Sequence, residues 1–160
     1  MAKDREKKTN ALRELDAAGL PYRPRFFDTP EALSGVEVAQ RLGLDADRVF
    51  KTLVTLGKSG QHLVFMIPVA CELDLKKAAA AAGEKAVAMV KSKELLPLTG
   101  YVHGGCSPIG MKKKYPTLID ETAQLFDRIY VSAGMRGHQI IVAPDALAKF
   151  VEAKYADLTK

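Results

Sequence analysis

The sequence has 160 residues, of which 48% are hydrophobic and 27% are charged, with a formal net charge of +5. This length and composition predict one globular domain over residues 1–160, with a flexible N-terminus at residues 1–8. The charge is lower than expected of a ribosomal or DNA-coating protein, although it is compatible with an anionic partner, nucleic acid included.

Neither a disulfide framework, a metal site nor a membrane span is indicated. Cys71 and Cys106 lie far apart, and no two histidines have the spacing of metal ligands. The first ten residues are polar rather than a signal segment, and the longest apolar run, Leu63 to Ala70, contains Pro68 and is too short for a bilayer. We expect a cytoplasmic protein without a metal or cofactor.

Capping and helix-breaking residues predict the first two elements. Thr9 can cap a helix that ends before Gly19 and Pro21. Leu20 to Phe27 is predicted to be an edge strand, because Pro21 and Pro24 cannot donate ladder hydrogen bonds. The inward face of the helix consists of Leu12, Leu15 and Ala18.

A capping box predicts the second helix. Ser34 and Glu37 have the required spacing, and Gly43 would end the helix. The residues expected to face inward are Val38, Ala39 and Leu42.

A β-hairpin is predicted next, with strands from Val49 to Leu56 and from Leu63 to Val69 around a turn at Gly57 to Gly60. Lys51 is the unexpected residue, because period-two alternation puts it on one face with Val49, Leu53 and Thr55. An unpaired buried ammonium is costly, so Lys51 is a functional candidate. The alternative is a lysine that protects a strand edge from aggregation.

In the second half of the chain, short helices and short strands are predicted in an irregular order. The sequence therefore favours a single α+β domain with a mixed, strongly curved and partly barrel-like sheet flanked by helices. In chain order the elements are a helix from Asp74 to Gly83, a strand from Val87 to Val90, a helical turn from Ser92 to Leu96 closed by Pro97, strands at Thr117–Ile119, Arg128–Val131 and Gln139–Val142, and a helix from Pro144 with Leu147, Phe150 and Val151 inward.

Glycine is concentrated in the segment from Gly100 to Gly110, which is followed by Lys112, Lys113 and Lys114. Convergent N–H groups in such a loop can bind a negative oxygen, and the lysines add cationic charge. The plainer alternative is a connector with solvated lysines. It is not a P-loop, because Met111 stands where the lysine belongs, and it contains no dinucleotide fingerprint.

Four motifs in order identify a family resemblance. They are Phe50–Leu53, Leu73–Lys77, Thr99–Gly110 and Ile129–Gly137. From about Thr9 to the C-terminus the chain resembles the YbaK family of free-standing Cys-tRNA(Pro) deacylases, which are similar to the editing domain of bacterial prolyl-tRNA synthetases. The resemblance implies the fold of that family.

The resemblance also implies trans-editing, in which the ester joining a wrong amino acid to the terminal adenosine of a tRNA is hydrolysed. The implied catalytic residues are Lys51, Gly104 and Gly105, the glycines belonging to a G-x-x-x-P loop from Gly104 to Pro108. Main-chain N–H groups of Gly104, Gly105 or Cys106 would stabilise the oxyanion, and Lys51 would bind a terminal phosphate or position the ester. The attacking group would be water or the thiol of the bound cysteinyl group.

Further residues carried by the resemblance would contact the substrate. The expected partners are the single-stranded acceptor end of the tRNA and prolyl-tRNA synthetase, without a membrane or DNA. Lys112, Lys113 and Lys114 are candidates for contact with the tRNA backbone. The implied substrate-binding residues are Phe27, Thr52, Cys106, Ser107, Pro108, Gly134, Arg136 and Gln139.

At three positions the chain departs from the family pattern. Cys106 replaces a frequent aliphatic residue, Phe27 a common tyrosine, and Gln139 a frequent acidic residue. These changes leave the preferred amino acid open. Ser107 is expected either to bind the substrate or to fix the loop.

Two other functions remain open from the sequence. One is a non-catalytic module that binds charged tRNA or a synthetase. The other is a thiol enzyme with Cys106 as nucleophile, although no base is positioned to form the thiolate. His103 adjoins the loop and is expected to be a neutral surface residue rather than a proton-transfer group.

Overall fold

The structure is a computed structural model that describes residues 8–28 and 33–160. The predicted flexible N-terminus lies outside the described residues apart from Lys8. The α-helices are α1 (Asn10–Ala18), α2 (Gly35–Leu42), α3 (Leu75–Ala82), α4 (Ser92–Thr99) and α5 (Pro144–Val151). The strands are β1 (Arg23–Phe26), β2 (Phe50–Gly57), β3 (His62–Pro68), β4 (Val87–Met89), β5 (Thr117–Asp120), β6 (Ile129–Met135), β7 (His138–Val142) and β8 (Lys154–Ala156).

The described strands form two sheets, so the prediction of one curved sheet is wrong. A three-stranded antiparallel sheet has the order β1-β7-β6, and a five-stranded mixed sheet has the order β4-β2-β3-β5-β8. A parallel bridge between Val49 and Tyr130 joins them, and the strands described here do not close a barrel. The α+β character and the mixed pairing are confirmed.

Helix capping follows the sequence signals closely. Thr9 accepts a hydrogen bond from the Leu12 N–H at 3.3 Å, and Ser34 and Glu37 form a reciprocal capping box. Gly19 and Gly43 end their helices in the left-handed conformation that glycine tolerates. Ala18 is exposed, contrary to prediction; Ala11, Leu12 and Leu15 are the buried residues of α1.

The predicted edge strand and hairpin are confirmed, with different bounds. Among the described strands β1 pairs with β7 alone, and it is shorter than predicted. β2 and β3 pair antiparallel from Phe50 opposite Pro68 to Leu56 opposite His62.

Pro97 does not end helix α4, contrary to prediction. The helix continues to Thr99 and ends at left-handed Gly100. Pro97 removes the donor that would bond the carbonyl of Lys93, but Lys93 is exposed, so water can satisfy that carbonyl cheaply. The Thr99 hydroxyl donates to the Leu95 carbonyl at 2.7 Å and supports the last turn.

The C-terminal segment forms a strand that the sequence did not predict. β8 pairs in parallel with β5. The buried Asp120 carboxylate accepts the Leu158 N–H at 2.9 Å and the Thr122 hydroxyl at 2.6 Å, which ties the end of the chain to β5.

The hydrophobic core is arranged around the hairpin. Phe50 and Met66 belong to a cluster with α1, α5 and the three-stranded sheet, whereas Val54 and Val64 pack against Tyr101 and Cys106 of the glycine-rich segment. Phe50 and Val54 share one face of β2, so this face runs from the core to the loop.

Candidate functional site

A cavity of about 410 Å³ lies along an open edge of β2. β4 pairs only with Thr55 to Gly57, and β6 reaches β2 through the bridge at Val49, so among the described strands none pairs on this side between them. The Val54 carbonyl accepts the Val90 N–H at 3.2 Å and so points to this edge. Because these directions alternate along a strand, the Thr52 main-chain groups face the gap as well.

Several parts of the chain build the described cavity wall, one of them the segment from β4 to α4, which contributes Met89, Val90, Ser92 and Leu95. β2 contributes side chains of both faces, α2 contributes its N-terminal turn, the paired strands β6 and β7 contribute one residue each, and the glycine loop contributes its first half. The polar or charged residues and the glycines in the lining are Ser34, Gly35, Lys51, Thr52, Ser92, His103, Gly104, Cys106, Ser132 and Gln139.

Lys51 lies in this cavity, on the face of β2 that the alternation predicted. Its side chain is half-buried, and burial lowers its pKa, an effect that the negative potential of Cys71 and Glu72 opposes. The functional reading gains support because Lys51 faces a cavity. The aggregation-blocking alternative stays open, because β4 covers only Thr55 to Gly57 and the edge of β2 beside Lys51 has no strand partner among the described residues.

Thr52 lies on the opposite face of β2 from Lys51. Its Oγ1 atom is buried and has no hydrogen-bond partner among the described residues. It shares its face with Val54, which packs beside Cys106. β2 therefore offers an ammonium on one side of its edge and a hydroxyl, toward the loop, on the other.

The glycine loop does not present all three predicted amides. The Gly105 N–H donates to the Val102 carbonyl at 3.0 Å and is therefore not available to an anion in this structure. The N–H groups of Gly104 and Cys106 have no acceptor within the described part of the chain. Gly104 is exposed at φ +87°, a conformation that favours glycine.

Two glycine bends that are distant in sequence pack directly together. A Cβ atom on Gly105 would lie 3.1 Å from the Arg136 nitrogen and 3.2 Å from the Met135 carbonyl carbon. The Arg136 guanidinium donates to the His103 carbonyl from Nε at 3.1 Å and from Nη2 at 2.9 Å. Arg136 and Gly105 thus hold the loop against the β6–β7 turn. Gly134 lies against the Tyr101 ring and adds to the packing of this turn on the loop.

The second half of the loop is an anchor. Ser107 is fully buried and its Oγ accepts the Ile109 N–H at 3.3 Å, which favours its loop-fixing role over substrate contact. The Tyr101 hydroxyl donates to the Ile109 carbonyl. Pro108 is buried and lines a smaller cavity of about 180 Å³ rather than the main one.

Cys106 lines the main cavity as a protonated thiol. Burial raises its pKa to about 11, although the Thr99 hydroxyl bonded to it acts in the opposite direction. A cysteine that is protonated at neutral pH is a poor nucleophile, so the thiol-enzyme alternative loses support.

The three lysines and Phe27 lie away from the main cavity. Lys113 and Lys114 line the smaller cavity, and the Lys114 ammonium pairs with Glu152 at 2.6 Å. Lys112 extends over Gly100. Phe27 packs in the cluster of Val49 and Tyr130 and donates its N–H to the Gly137 carbonyl at 2.9 Å.

Sequence reasoning missed Ser132 and the N-terminus of α2. Ser132 pairs with Gln139 across β6 and β7, and both line the cavity. Alternation within the strand predicted at Gln139 gives the face on which Gln139 lies. A hairpin between this strand and the one before it would have placed Ser132 opposite Gln139. Gly35 lies so close to Val69 that a Cβ atom would be 2.4 Å away, which brings the start of α2 onto the end of β3.

The cavity wall is cationic. Among the described lining residues Lys51 is the charged one, and none is an aspartate or glutamate; Glu31, two residues before Leu33 of the lining, lies outside the described residues. Within the described residues, no group of three or more His, Cys, Asp or Glu side chains could hold a metal ion. In the described ranges, no helix is long and apolar enough to cross a membrane.

Comparison with known sequences identifies relatives over the whole chain. A protein of Enterococcus faecalis, provisionally named Cys-tRNA(Pro)/Cys-tRNA(Cys) deacylase EbsC, is 46% identical over 161 residues, covering 99% of this chain and 98% of that protein. A proline–tRNA ligase of Shouchella clausii is 33% identical over 140 residues, which cover 82% of this chain and 24% of the ligase.

Solved structures have the same fold. A provisionally assigned trans-editing enzyme for prolyl tRNA synthetase matches with a TM-score of 0.79 and 25% identity over 94% of this chain and 92% of that one. A hypothetical protein matches with a TM-score of 0.87 and 24% identity over 95% and 100% of the two chains. The model of the aminoacyl-tRNA editing domain matches residues 29–150. The chain belongs to the aminoacyl-tRNA editing domain family.

Proposed function

We propose that this chain, as a single domain of residues 1–160, is a trans-editing hydrolase that cleaves the ester of a mischarged aminoacyl-tRNA. The family and the 46% identical relative support this activity, and the name of that relative supports Cys-tRNA(Pro) or Cys-tRNA(Cys) as substrate. The observation that carries the proposal is the cavity itself, which combines Lys51 with the unbonded N–H groups of Gly104 and Cys106.

The hydrolysis needs no attacking side chain. Water, or the thiol of the cysteinyl group, adds to the ester carbonyl and forms a tetrahedral oxyanion; the bond to the ribose oxygen then breaks and that oxygen takes up a proton. The Gly104 and Cys106 N–H groups donate to the oxyanion. Each such donor contributes a factor of about 10²–10³ in rate. The raised pKa of Cys106 agrees with this scheme.

Lys51 binds a phosphate of the terminal nucleotide. Of its two predicted roles, this one is favoured because Lys51 lies on the face of β2 opposite Thr52, whose face leads to the loop. An ammonium in a partly desolvated wall attracts a phosphate more strongly than one in bulk water. Thr52, on the loop side, contacts the aminoacyl ester.

The acceptor end of the tRNA enters as a single strand. Lys112, Lys113 and Lys114 contact the tRNA backbone outside the cavity, because they lie on the far side of the loop. We also propose that the protein acts in the cytoplasm and associates there with prolyl-tRNA synthetase; the matched segment of proline–tRNA ligase supports the association.

A panel of tRNAs charged with cysteine, alanine, proline and serine tests the activity. We expect loss of ester from Cys-tRNA(Pro) or Cys-tRNA(Cys) above the spontaneous rate, and a drop of about 10²–10³ in kcat/KM for Lys51→Ala, the range expected when a positioning group is lost. A module that only binds tRNA would retain the charged tRNA without turnover. Lys58→Ala, in the β2–β3 turn, is the matched control.

A further inference from the structure

Gln139, in the wall of the cavity, has a side-chain carbonyl oxygen that accepts no hydrogen bond from the described residues. This side chain is 9% exposed and lines the cavity, and its Oε1 atom is buried without a hydrogen-bond partner among the described residues. A buried carbonyl oxygen in this state loses its hydration without compensation. A ligand with an N–H group could supply a donor after the terminal amide turns its carbonyl oxygen toward the cavity.

The groups facing Gln139 are neutral or cationic. Register places Ser132 of β6 and Arg25 of β1 opposite it, on the same face of the sheet. Lys51 and His103 line the same cavity from β2 and the loop, and α2 adds Ser34.

Two acidic side chains close in sequence to lining residues have partners outside the cavity, and one of them, Glu72, also exerts a negative potential on Lys51. Glu37 of α2 accepts the Ser34 N–H in the capping box, at 3.1 Å. Glu72, beyond β3, pairs with the Lys160 ammonium at 3.2 Å. Neither lines the cavity.

This arrangement disfavours a substrate ammonium. An aminoacyl ester carries an α-amino group, and α-amino groups have pKa values of about 7.7–8.0. Its charged form would enter a cavity whose described lining contains a lysine and no carboxylate, which costs electrostatic free energy. Its neutral form can donate to the Gln139 carbonyl once the terminal amide turns about its last torsion, which is broad and roughly twofold.

We propose that Gln139 binds the α-amino group of the aminoacyl ester as a neutral amine, so that the site selects its substrate by a hydrogen bond and not by an ion pair. This inference rests on the proposed deacylase function. It follows that esters without an amino group are substrates too, and that they are preferred wherever the amine is protonated.

The test uses two esters of the same tRNA(Pro), one with cysteine and one with β-mercaptopropionate, which is cysteine without its amino group. The measured quantity is the ratio of their kcat/KM values, cysteinyl over desamino, at pH 6 and pH 8.5 after subtraction of enzyme-free hydrolysis. Titration of Lys51, or of an attacking water, affects both esters and cancels in the ratio. The substrate thiol titrates differently in the two esters because only one carries the amine, so the alanyl and propionyl esters of the same tRNA, which lack a thiol, repeat the comparison.

For the wild-type protein we expect a ratio below one at pH 6, because only about 1–2% of the amine is neutral there. At pH 8.5 we expect about 2–10, the value of one neutral hydrogen bond. Gln139→Glu should raise the ratio at pH 6 above about 10, because a carboxylate favours the ammonium. Gln139→Leu should remove the preference at pH 8.5, and Gln124→Glu, an exposed control, should change nothing.

The inference is overturned if the wild-type protein prefers the cysteinyl ester at pH 6, a result that requires no variant. It is also overturned if Gln139→Glu leaves the ratio unchanged while it still hydrolyses the desamino ester. If the wild-type protein hydrolyses neither ester nor any member of the amino acid panel, the proposed function itself fails.

Discussion

The two halves of the glycine-rich segment, contiguous in sequence, differ in structure. Residues 103–106 border the main cavity and leave the N–H groups of Gly104 and Cys106 unbonded. Residues 107–114 face the other way, with Ser107 and Tyr101 bonded around Ile109 and with Lys114 paired to Glu152. The polar groups of the second half form internal hydrogen bonds that fix the loop. The two unbonded N–H groups of the first half therefore stay in place and can bind an anion.

This difference shows that glycine has two separate uses here. Gly104 keeps an exposed amide in a left-handed conformation, whereas Gly105 permits a backbone to approach another backbone. The amide of Gly105 is itself occupied by Val102. We therefore propose that Gly104 donates to the substrate, whereas Gly105 determines the shape of the loop.

Among substitutions in the glycine-rich segment, the largest effect is expected from Gly105→Ala. Its Cβ would lie 3.1 Å from the Arg136 nitrogen and displace the flanking amides, and a misplacement of about 1 Å can cost about 10² in rate. We expect kcat/KM for Cys-tRNA(Pro) to fall by at least about 10². Gly83→Ala, which strains the end of α3 at φ +73°, is the control: it should lower stability by about 1–2 kcal/mol and leave kcat/KM unchanged. Equal activity losses in both variants would contradict the division of the loop.

Caps, helix-ending glycines and turns were predicted correctly because each of them is determined by a few residues that are adjacent in sequence. The capping box at Ser34, the glycine at position 43 and the hairpin turn each depend on a few neighbouring residues. Pro97 misled the prediction because its cost depends on whether the freed carbonyl of Lys93 reaches water, which the sequence does not state.

The candidate site was predicted less completely, because it is made by contacts between distant segments. Period-two alternation predicted the face of β2 on which Lys51 lies, and the family resemblance predicted that the glycine loop belongs to the site. The contact of Arg136 with the His103 carbonyl and the pairing of Ser132 with Gln139 follow from sheet register and packing. Gly104 and Gly105 have the same side chain, so only the hydrogen bond from Gly105 to Val102 distinguishes their amides.

The second prediction concerns the anchoring half. Tyr101→Phe removes the donor to the buried Ile109 carbonyl, and an unsatisfied buried acceptor costs about 1–3 kcal/mol. We expect the free energy of unfolding, from urea denaturation, to fall by that amount, with kcat/KM changing less than tenfold. Tyr155→Phe, whose hydroxyl bonds the exposed side chain of Asp145, should cost less. A loss of activity as large as that of Gly105→Ala would mean that the anchor also takes part in catalysis.

Cys106, at the boundary of the two halves, gives a smaller and pH-dependent effect. Burial raises its folded-state pKa to about 11, above the unfolded value of about 9, so the folded protein holds the thiol proton more strongly. Stability is therefore unaffected below pH 8 and falls as pH rises through 9 toward 11, by about 1.4 kcal/mol at pH 10.

Cys106→Ala should abolish that part of the decrease, measured as the difference between wild type and variant in unfolding free energy at pH 7 and pH 10. Tyr22 is present in both proteins and cancels, whereas the part of the raised pKa of Tyr101 that comes from the Cys106 thiolate is lost with the thiol and belongs to the same difference. Deacylation by Cys106→Ala should stay within about threefold of wild type, as the proposed absence of a protein nucleophile requires. Complete loss of turnover with normal folding would revive the thiol mechanism.

The smallest effect separates two neighbouring lysines at the far side of the loop. Lys114 already pairs with Glu152, so a contact with a phosphate would only exchange one weak exposed ion pair for another, and Lys114→Ala should change tRNA affinity little. Lys113 has no ion pair within the described residues and is free to meet a phosphate. Lys113→Ala should reduce the slope of log affinity against log salt by about 0.7–0.9, measured with charged tRNA, and leave kcat at saturation unchanged. An unaltered slope in Lys113→Ala would place the tRNA backbone on another surface and leave the second half of the loop as an anchor alone.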